Sequence, residues 1–341
     1  MRLGVRSPLL LVPALAFAMV AAACTTDNGV LPTDTKESLV EQPLARFELQ
    51  GHRGARGLKP ENTLPSFETA LDFGVSTLEL DLHFTADNEV VIWHDPVIDA
   101  KKCGLKTDAP PDIPDPDAPA ASSQDLAVRV LTAAELRWFD CSRNPDAGRF
   151  PQQDSAATSI AGDDFGIVTF AELIEFVARY SVDQSKTDRQ RENAARVRFN
   201  LETKRSARFP DAIGDEFDGT TAGPFELRLL DVIAAFEIRD RVTVQSFDRR
   251  SIGAINAVDP GISLAMLTSD ESIELAAYTD VGATVWSPKA ASVTKDRIAE
   301  AHRLGMVVIP WTVNESDVFD QLVALGVDGV ITDRPDIFKD R

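Results

Sequence analysis

From Phe47 onward the chain alternates short apolar runs with stretches of helical periodicity. Nine runs read as strands: Phe47–His52, Thr77–His83, Val90–His94, Val197–Thr203, Val242–Phe247, Ile262–Leu267, Ala283–Ser287, Val307–Thr312 and Gly329–Thr332. Apolar residues recur every three or four positions in Ser66–Phe73, Phe170–Tyr180, Phe225–Ile238, Lys295–Leu304 and Ser316–Leu325, which predicts helices there. Strand–helix alternation sustained over about 250 residues predicts an α/β chain closed as a (β/α)8 TIM barrel. An open doubly wound sheet is the alternative, but no G-x-G-x-x-G follows the first strand. Nine candidates are one more than eight staves require; Ile262–Leu267 and Ala283–Ser287 carry the weakest patterns. Phe84–Glu89 is too short for a crossover helix and reads as a tight connection around Asp87-Asn88.

Residues 97–165 break the alternation and read as an insertion after the third strand. Asp108 to Pro119 is rich in Asp and Pro, a composition that predicts a solvated loop rather than a cation site. Thr132–Phe139 has the pattern of one short helix. At the amino end, Arg2 and Arg6 precede an apolar run from Pro8 to Ala23. That run is shorter than the roughly 20 residues of a membrane span and fits a signal peptide over 1–23. It ends in Ala21-Ala22-Ala23-Cys24, which resembles a bacterial lipobox with Ala21 in place of the usual Leu; the resemblance implies a lipidated Cys24. An A-x-A cleavage site with Cys24 incidental is the alternative. Residues 24–45 would then be a polar tether, and 46–341 the catalytic barrel. The chain is expected to be exported and held at a membrane by that anchor only. In such a compartment the other two cysteines, Cys103 and Cys141, read as a disulfide across the insertion, with two buried free thiols as the alternative.

Composition narrows the partners. Lys and Arg total 35 against 54 Asp and Glu, a formal net charge of −19 on 341 residues. Such a polyanion repels nucleic acid, so an anionic substrate needs a local cluster of cations or a metal ion.

Candidate chemistry gathers at strand ends. His52 and Arg53 follow the first strand within Gly51-His52-Arg53-Gly54, where glycines let the backbone turn sharply. In Thr77-Leu78-Glu79-Leu80-Asp81-Leu82 alternate residues share a face. Leucines under the outer helices would turn Glu79 and Asp81 inward, where two carboxylates repel unless a cation lies between them. The same parity puts Asn200, Glu202 and Lys204 on one face, and Val91-Ile92-Trp93-His94 brings a second imidazole. Oxygen-only donors favour Ca²⁺ or Mg²⁺ over zinc. A metal-free cluster of these acids with Arg53 and Lys204 is the competing reading. His83 shares the inward face, in a supporting position, and His302 falls on a helix as a surface residue. Trp93 and Trp138 read as packing residues.

The chain resembles the glycerophosphodiester phosphodiesterases. The blocks that carry the likeness are His52-Arg53-Gly54 with Pro60-Glu61-Asn62-Thr63, Glu79-x-Asp81, His94-Asp95, Glu202-x-Lys204 and Gln245-Ser246-Phe247. Trp311-Thr312-Val313-Asn314, and Gly326-Val327-Asp328-Gly329 through Thr332-Asp333-Arg334-Pro335, extend it towards residue 338. The resemblance implies His52 and His94 as an acid/base pair, Glu79, Asp81 and Glu202 as ligands of one divalent cation, and Arg53 and Lys204 as phosphate contacts. It further implies Phe247 and Trp311 beside the glycerol, and a small glycerophosphodiester as substrate, cleaved to an alcohol and sn-glycerol 3-phosphate. Two other functions stay open. A surface lipoprotein using the barrel as a binding platform would show a lost histidine or carboxylate, and none is lost. A lysophospholipid substrate would call for an apolar rim, which the Asp/Pro-rich insertion does not suggest.

Overall fold

A computed structural model describes residues 47–269 and 274–338. The signal run, Cys24 and the tether lie outside the described residues. Strands and helices follow in the order β1 (Glu48–Gly51), α1 (Leu64–Asp72), β2 (Thr77–Phe84), β3 (Val90–Ile92), β4 (Gly104–Leu105), α2 (Ala133–Leu136), β5 (Phe139–Asp140), α3 (Phe170–Tyr180), α4 (Asp188–Ala194) and β6 (Arg198–Thr203). The second half adds α5 (Pro224–Ala235), β7 (Val242–Ser246), α6 (Arg249–Val258), β8 (Ser263–Thr268), α7 (Ala276–Thr279), β9 (Val285–Pro288), α8 (Lys295–Arg303), β10 (Val307–Val308), α9 (Ser316–Leu325) and β11 (Gly329–Thr332).

Eight parallel staves run in the order β10-β9-β8-β7-β6-β2-β1-β11. Between the two ends of that series Asp328 N donates to Val308 O at 2.9 Å and Ile331 N to Pro310 O at 2.9 Å. The barrel is therefore nearly closed. Both weakly patterned strands, β8 and β9, are staves. The surplus strand is β3, which pairs antiparallel with β2 through Leu82–Ile92 and Phe84–Val90. The short Phe84–Glu89 link explains this, because a turn of that length reverses the chain and a parallel return needs a crossover. The insertion thus follows a hairpin rather than a third stave. β10 ends at Val308, well before the expected Thr312; Pro310 has no N–H to continue a ladder.

Burial sets the parity of the staves. Leu78, Leu80 and Leu82 are fully buried in the cluster that includes Phe170, Phe176 and Phe199. Each buried leucine is worth about 1.5–3 kcal/mol over an exposed one, so a one-residue slip of β2 would lose all three anchors at once. That preference drives Glu79, Asp81 and His83 into the barrel. The interior they enter is polar. Thr77 Oγ1 and Gln50 Nε2 donate to Glu48 Oε1, Asn200 Nδ2 to Gln50 Oε1 and Gln245 Oε1, and Gln245 Nε2 to Glu79 Oε1.

The insertion has a small core of its own around Trp93, Ile98, Leu126, Leu136 and Phe139. Cys103 and Cys141 form the expected disulfide there; closing a loop of that size is worth about 4 kcal/mol in the chain-entropy account. Asp108 to Pro119 contains no helix or strand, as its composition predicts, although Ile113 is buried in the core. The short helix is α2, with Thr132 and Glu135 forming a capping box. Glu68 on α1 ties the insertion down, accepting from the Ile160 and Ala161 N–H groups while Lys186 neutralises it at 2.7 Å. Among the described residues no helix is long and apolar enough to cross a membrane.

Candidate active site

The residues singled out at strand ends converge at the carboxyl end of the barrel. A cavity of about 280 Å³ is lined by His52, Arg53, Glu79, His94, Glu202, Lys204, Phe247 and Trp311, together with Arg56, Arg149 and Gln245. Phe247 and Trp311 meet edge to face there, ring centres 5.7 Å apart.

β2 and β6 bring three acids together. Glu79 pairs in register with Asn200, and Asp81 with Glu202. Glu79, Asp81 and Glu202 are buried and each offers an oxygen within 4.8 Å of the others. Burial, then the charges of Asp81 and Glu202, push Glu79 well above the ordinary carboxylate range. Burial likewise raises Glu202, against the pull of Lys204. Burial would raise Asp81 too, but Arg53 and then Lys204 hold it well below its usual value.

The cations present do not saturate these oxygens. Lys204 Nζ lies 2.7 Å from Glu202 Oε1 and 3.5 Å from Asp81 Oδ1, and Arg53 Nε lies 3.0 Å from Asp81 Oδ2. Arg53 is shared with Glu61, its Nη1 donating to both carboxylate oxygens at 3.0 Å. Asp81 Oδ1 is buried without a hydrogen-bond partner. A buried carboxylate oxygen with no hydrogen bond, only the Lys204 charge at 3.5 Å, beside two acids of raised pKa, fits a hard divalent cation. This weighs against the metal-free cluster: with Arg53 and Lys204 in place Glu79 and Glu202 are still raised, and further positive charge between the acids would favour their ionised forms.

Local structure aims Arg53 and Asn62. Both sit in the left-handed backbone region, at φ 52° and 59°. The turn holds Arg53 there because its N–H donates to Glu79 Oε2 at 2.9 Å, and Asn62 Nδ2 donates to Asp81 Oδ2 at 2.8 Å. Gly54 has φ 85°, and a Cβ on it would lie 2.5 Å from Ser66 Oγ. No side chain fits there, which fixes the glycine of His52-Arg53-Gly54.

Each catalytic-candidate imidazole leans on a carboxylate. His52 Nδ1 lies 2.5 Å from Asp333 Oδ1, which leaves Nε2 4.0 Å from Glu79 Oε2. His94 Nδ1 lies 2.6 Å from Asp95 Oδ1, whose other oxygen accepts from Lys102 at 2.5 Å. Bound this way, each Nδ1 carries its proton towards the carboxylate, which leaves Nε2 as the nitrogen able to exchange one. Burial lowers the His52 pKa, and Asp333 only partly offsets it. His83 supports His94 from below, its Nε2 3.2 Å from the His94 carbonyl oxygen, while burial pushes its pKa down to about 4. His302 is a surface residue on Asp328, at 2.9 Å. Trp93 is buried in the insertion core, with Trp138 packed against it.

Several participants lay outside the sequence reading of the site. Asp95 and Asp333 fall within quoted blocks, adjacent to His94 and to Thr332, but their contact with imidazoles is tertiary for Asp333. Glu61, held down to about 2 by Arg53, Arg56 and Lys102 against the upward push of burial, organises the cations. Arg149 enters from the insertion and reaches Asp333 Oδ2 at 3.4 Å. No motif signals Arg149 or Lys102.

Two carboxylate-backed imidazoles beside an acidic trio and several cationic side chains give the cavity the acid, base and charge that phosphodiester hydrolysis calls for. The Glycerophosphoryl diester phosphodiesterase family matches residues 52–337, and the chain belongs to that family. A glycerophosphodiester phosphodiesterase of Bacillus altitudinis is 28% identical over 289 residues, 84% of this chain and 94% of that protein. A crystal structure from Silicibacter pomeroyi assigned to the glycerophosphoryl diester phosphodiesterases superposes with TM-score 0.66 at 25% identity, over 86% of this chain and 91% of that one. An Oleispira antarctica phosphodiesterase, solved with the product sn-glycerol-3-phosphate, shares the fold at TM-score 0.62 and 18% identity, over 86% and 95% of the two chains.

Proposed function

We propose that the protein hydrolyses small glycerophosphodiesters to an alcohol and sn-glycerol 3-phosphate, with one Ca²⁺ or Mg²⁺ held by Glu79, Asp81 and Glu202. The observation that carries this reading is the single cavity lined by both imidazoles, two of the three acids and the cations. When bound there, the metal would supply Lewis-acid chemistry to the phosphoryl group. Lys204 and Arg149 face the remaining phosphoryl charge, and Arg53 holds the acids in place while presenting its edge to the cavity.

His52 is the first proton acceptor, because burial favours its neutral form and Asp333, bound to Nδ1, leaves Nε2 turned towards Glu79 and the acidic trio. The glycerol 2-hydroxyl attacks phosphorus and its proton passes to His52 Nε2. The bond from phosphorus to the alcohol breaks, and His94 gives the departing oxygen a proton. Water then opens the cyclic phosphate with the two roles exchanged, which yields sn-glycerol 3-phosphate. The attacking hydroxyl belongs to the substrate, so no second molecule need be captured for the first step. Phe247 and Trp311 flank the glycerol carbons.

Purified protein should release sn-glycerol 3-phosphate from glycerophosphocholine when Ca²⁺ or Mg²⁺ is supplied, and lose that activity after EDTA. Full activity in metal-depleted protein, with metal content verified, would falsify the ligand assignment. Export and anchoring belong to the same proposal, on the strength of the apolar run and Cys24. In an expressing bacterium, labelled fatty acid should enter the wild-type protein and not Cys24→Ser; equal labelling of both ends the anchor assignment.

A further inference from the structure

Beside the catalytic cavity lies a larger hollow of about 620 Å³. The two spaces share Glu202, Lys204 and Phe247. The rest of the hollow is built by the segments that follow β6 and β7, at the active-site end of neighbouring staves: Arg205 to Arg208 on one side, Asp248 to Arg250 on the other.

Most charges in this wall are already matched. Arg205 is held by Asp215 and Glu226, Arg250 by Asp248 at 2.6 Å, and Lys204 by Glu202 at 2.7 Å. Arg208 and Arg249 are different. Both are exposed, and among the described residues no carboxylate pairs with either. Two uncompensated guanidinium groups beside the cavity stand out in a chain of net charge −19. A general acidic field repels anions, so a local cationic wall is the feature that can receive one. A cationic alcohol finds no counterpart here. Glu202 and Asp248, the carboxylates that line the hollow, are occupied by Lys204 and Arg250. The ring of Phe209 already lies against the Arg208 guanidinium, 5.2 Å from its centre, and Phe247 meets Trp311.

We propose that this hollow receives the alcohol half of the diester and selects alcohols that carry their own negative charge, a second phosphate above all. Guanidinium groups suit that ligand because their planar donors match phosphate oxygens in pairs. The inference rests on the hydrolase reading and adds the chemical class of its leaving group.

Its test compares kcat/KM for glycerophosphoglycerol, the same diester with a phosphate on the outer glycerol, and glycerophosphocholine, at low and high salt. The phosphorylated alcohol should be preferred by at least about tenfold at low ionic strength, and the preference should shrink towards unity at about 0.5 M salt, where exposed charges are screened. In Arg208→Glu/Arg249→Glu, folded by circular dichroism, the ratio between phosphorylated and neutral alcohol should fall at least tenfold or invert. Equal rates on both alcohols in the wild type, a preference for choline, or a preference that survives the double reversal would each overturn the assignment of the hollow. Failure to cleave any of the three diesters would instead overturn the hydrolase reading, and the inference with it.

Discussion

Alanine at His52 or at His94 is expected to lower kcat/KM by about 10²–10⁴-fold each, the usual worth of one positioned proton transfer. Neither change should unfold the protein, since both side chains line the cavity rather than the apolar core. Asp333→Asn should come close to the His52 variant, because it removes the carboxylate that fixes the imidazole tautomer. The pH profile separates orientation from charge. Burial depresses the His52 pKa below its ordinary value of 6.5. A base that must be neutral loses activity as pH falls through its pKa, so the acidic limb of the wild-type profile should lie below that value. Asp333 raises the His52 pKa, so its loss should move the limb to still lower pH. A His52→Ala enzyme at near wild-type rate, or a limb displaced upward in Asp333→Asn, would remove His52 from the role of first base.

Glu79→Gln and Asp81→Asn are expected to cost about 10²–10³-fold in kcat, the scale of losing a preorganised electrostatic contribution. The effect of Glu79→Gln on stability should be opposite in kind. Glu79 is buried beside Asp81 and Glu202, which push it upward, so the neutral isostere relieves repulsion in the metal-free protein. The wild type should gain melting temperature on addition of Ca²⁺ or Mg²⁺; an excess of a hundred times Kd corresponds to about 2.7 kcal/mol. Both variants should lose that gain. Thermal melts with and without each ion make the comparison, and a variant that keeps the wild-type shift is not a ligand mutant.

Much of this was readable in the chain because parity is a local property. Alternation in β2 and β6 separates leucines from acids without any knowledge of neighbours, and register then stacks Asp81 beside Glu202. Strand counting fell short at β3. The length of Phe84–Glu89 excludes a crossover, which already implies an antiparallel return and leaves eight staves. α6 is not among the stretches named from the sequence, and its buried face mixes Ser251 and Ala254 with Ile252 and Ile255. The imidazole partners differ in the same way. Asp95 is the next residue after His94, whereas Asp333 is 281 positions from His52 and meets it only through the β1–β11 pairing. Arg149 and Lys102 reach the site from irregular segments of the insertion, where neither period nor spacing marks a residue's destination.

That β1–β11 pairing has a consequence for biosynthesis. The chain is made from one end, and His52 leaves the ribosome nearly three hundred residues ahead of the aspartate that orients it. If His52 is the proton acceptor proposed above, a shorter nascent species lacks the carboxylate that orients it, however well its early staves have formed. Full turnover should then begin only when the final stave docks against the first, so the lag before product release should report completed folding.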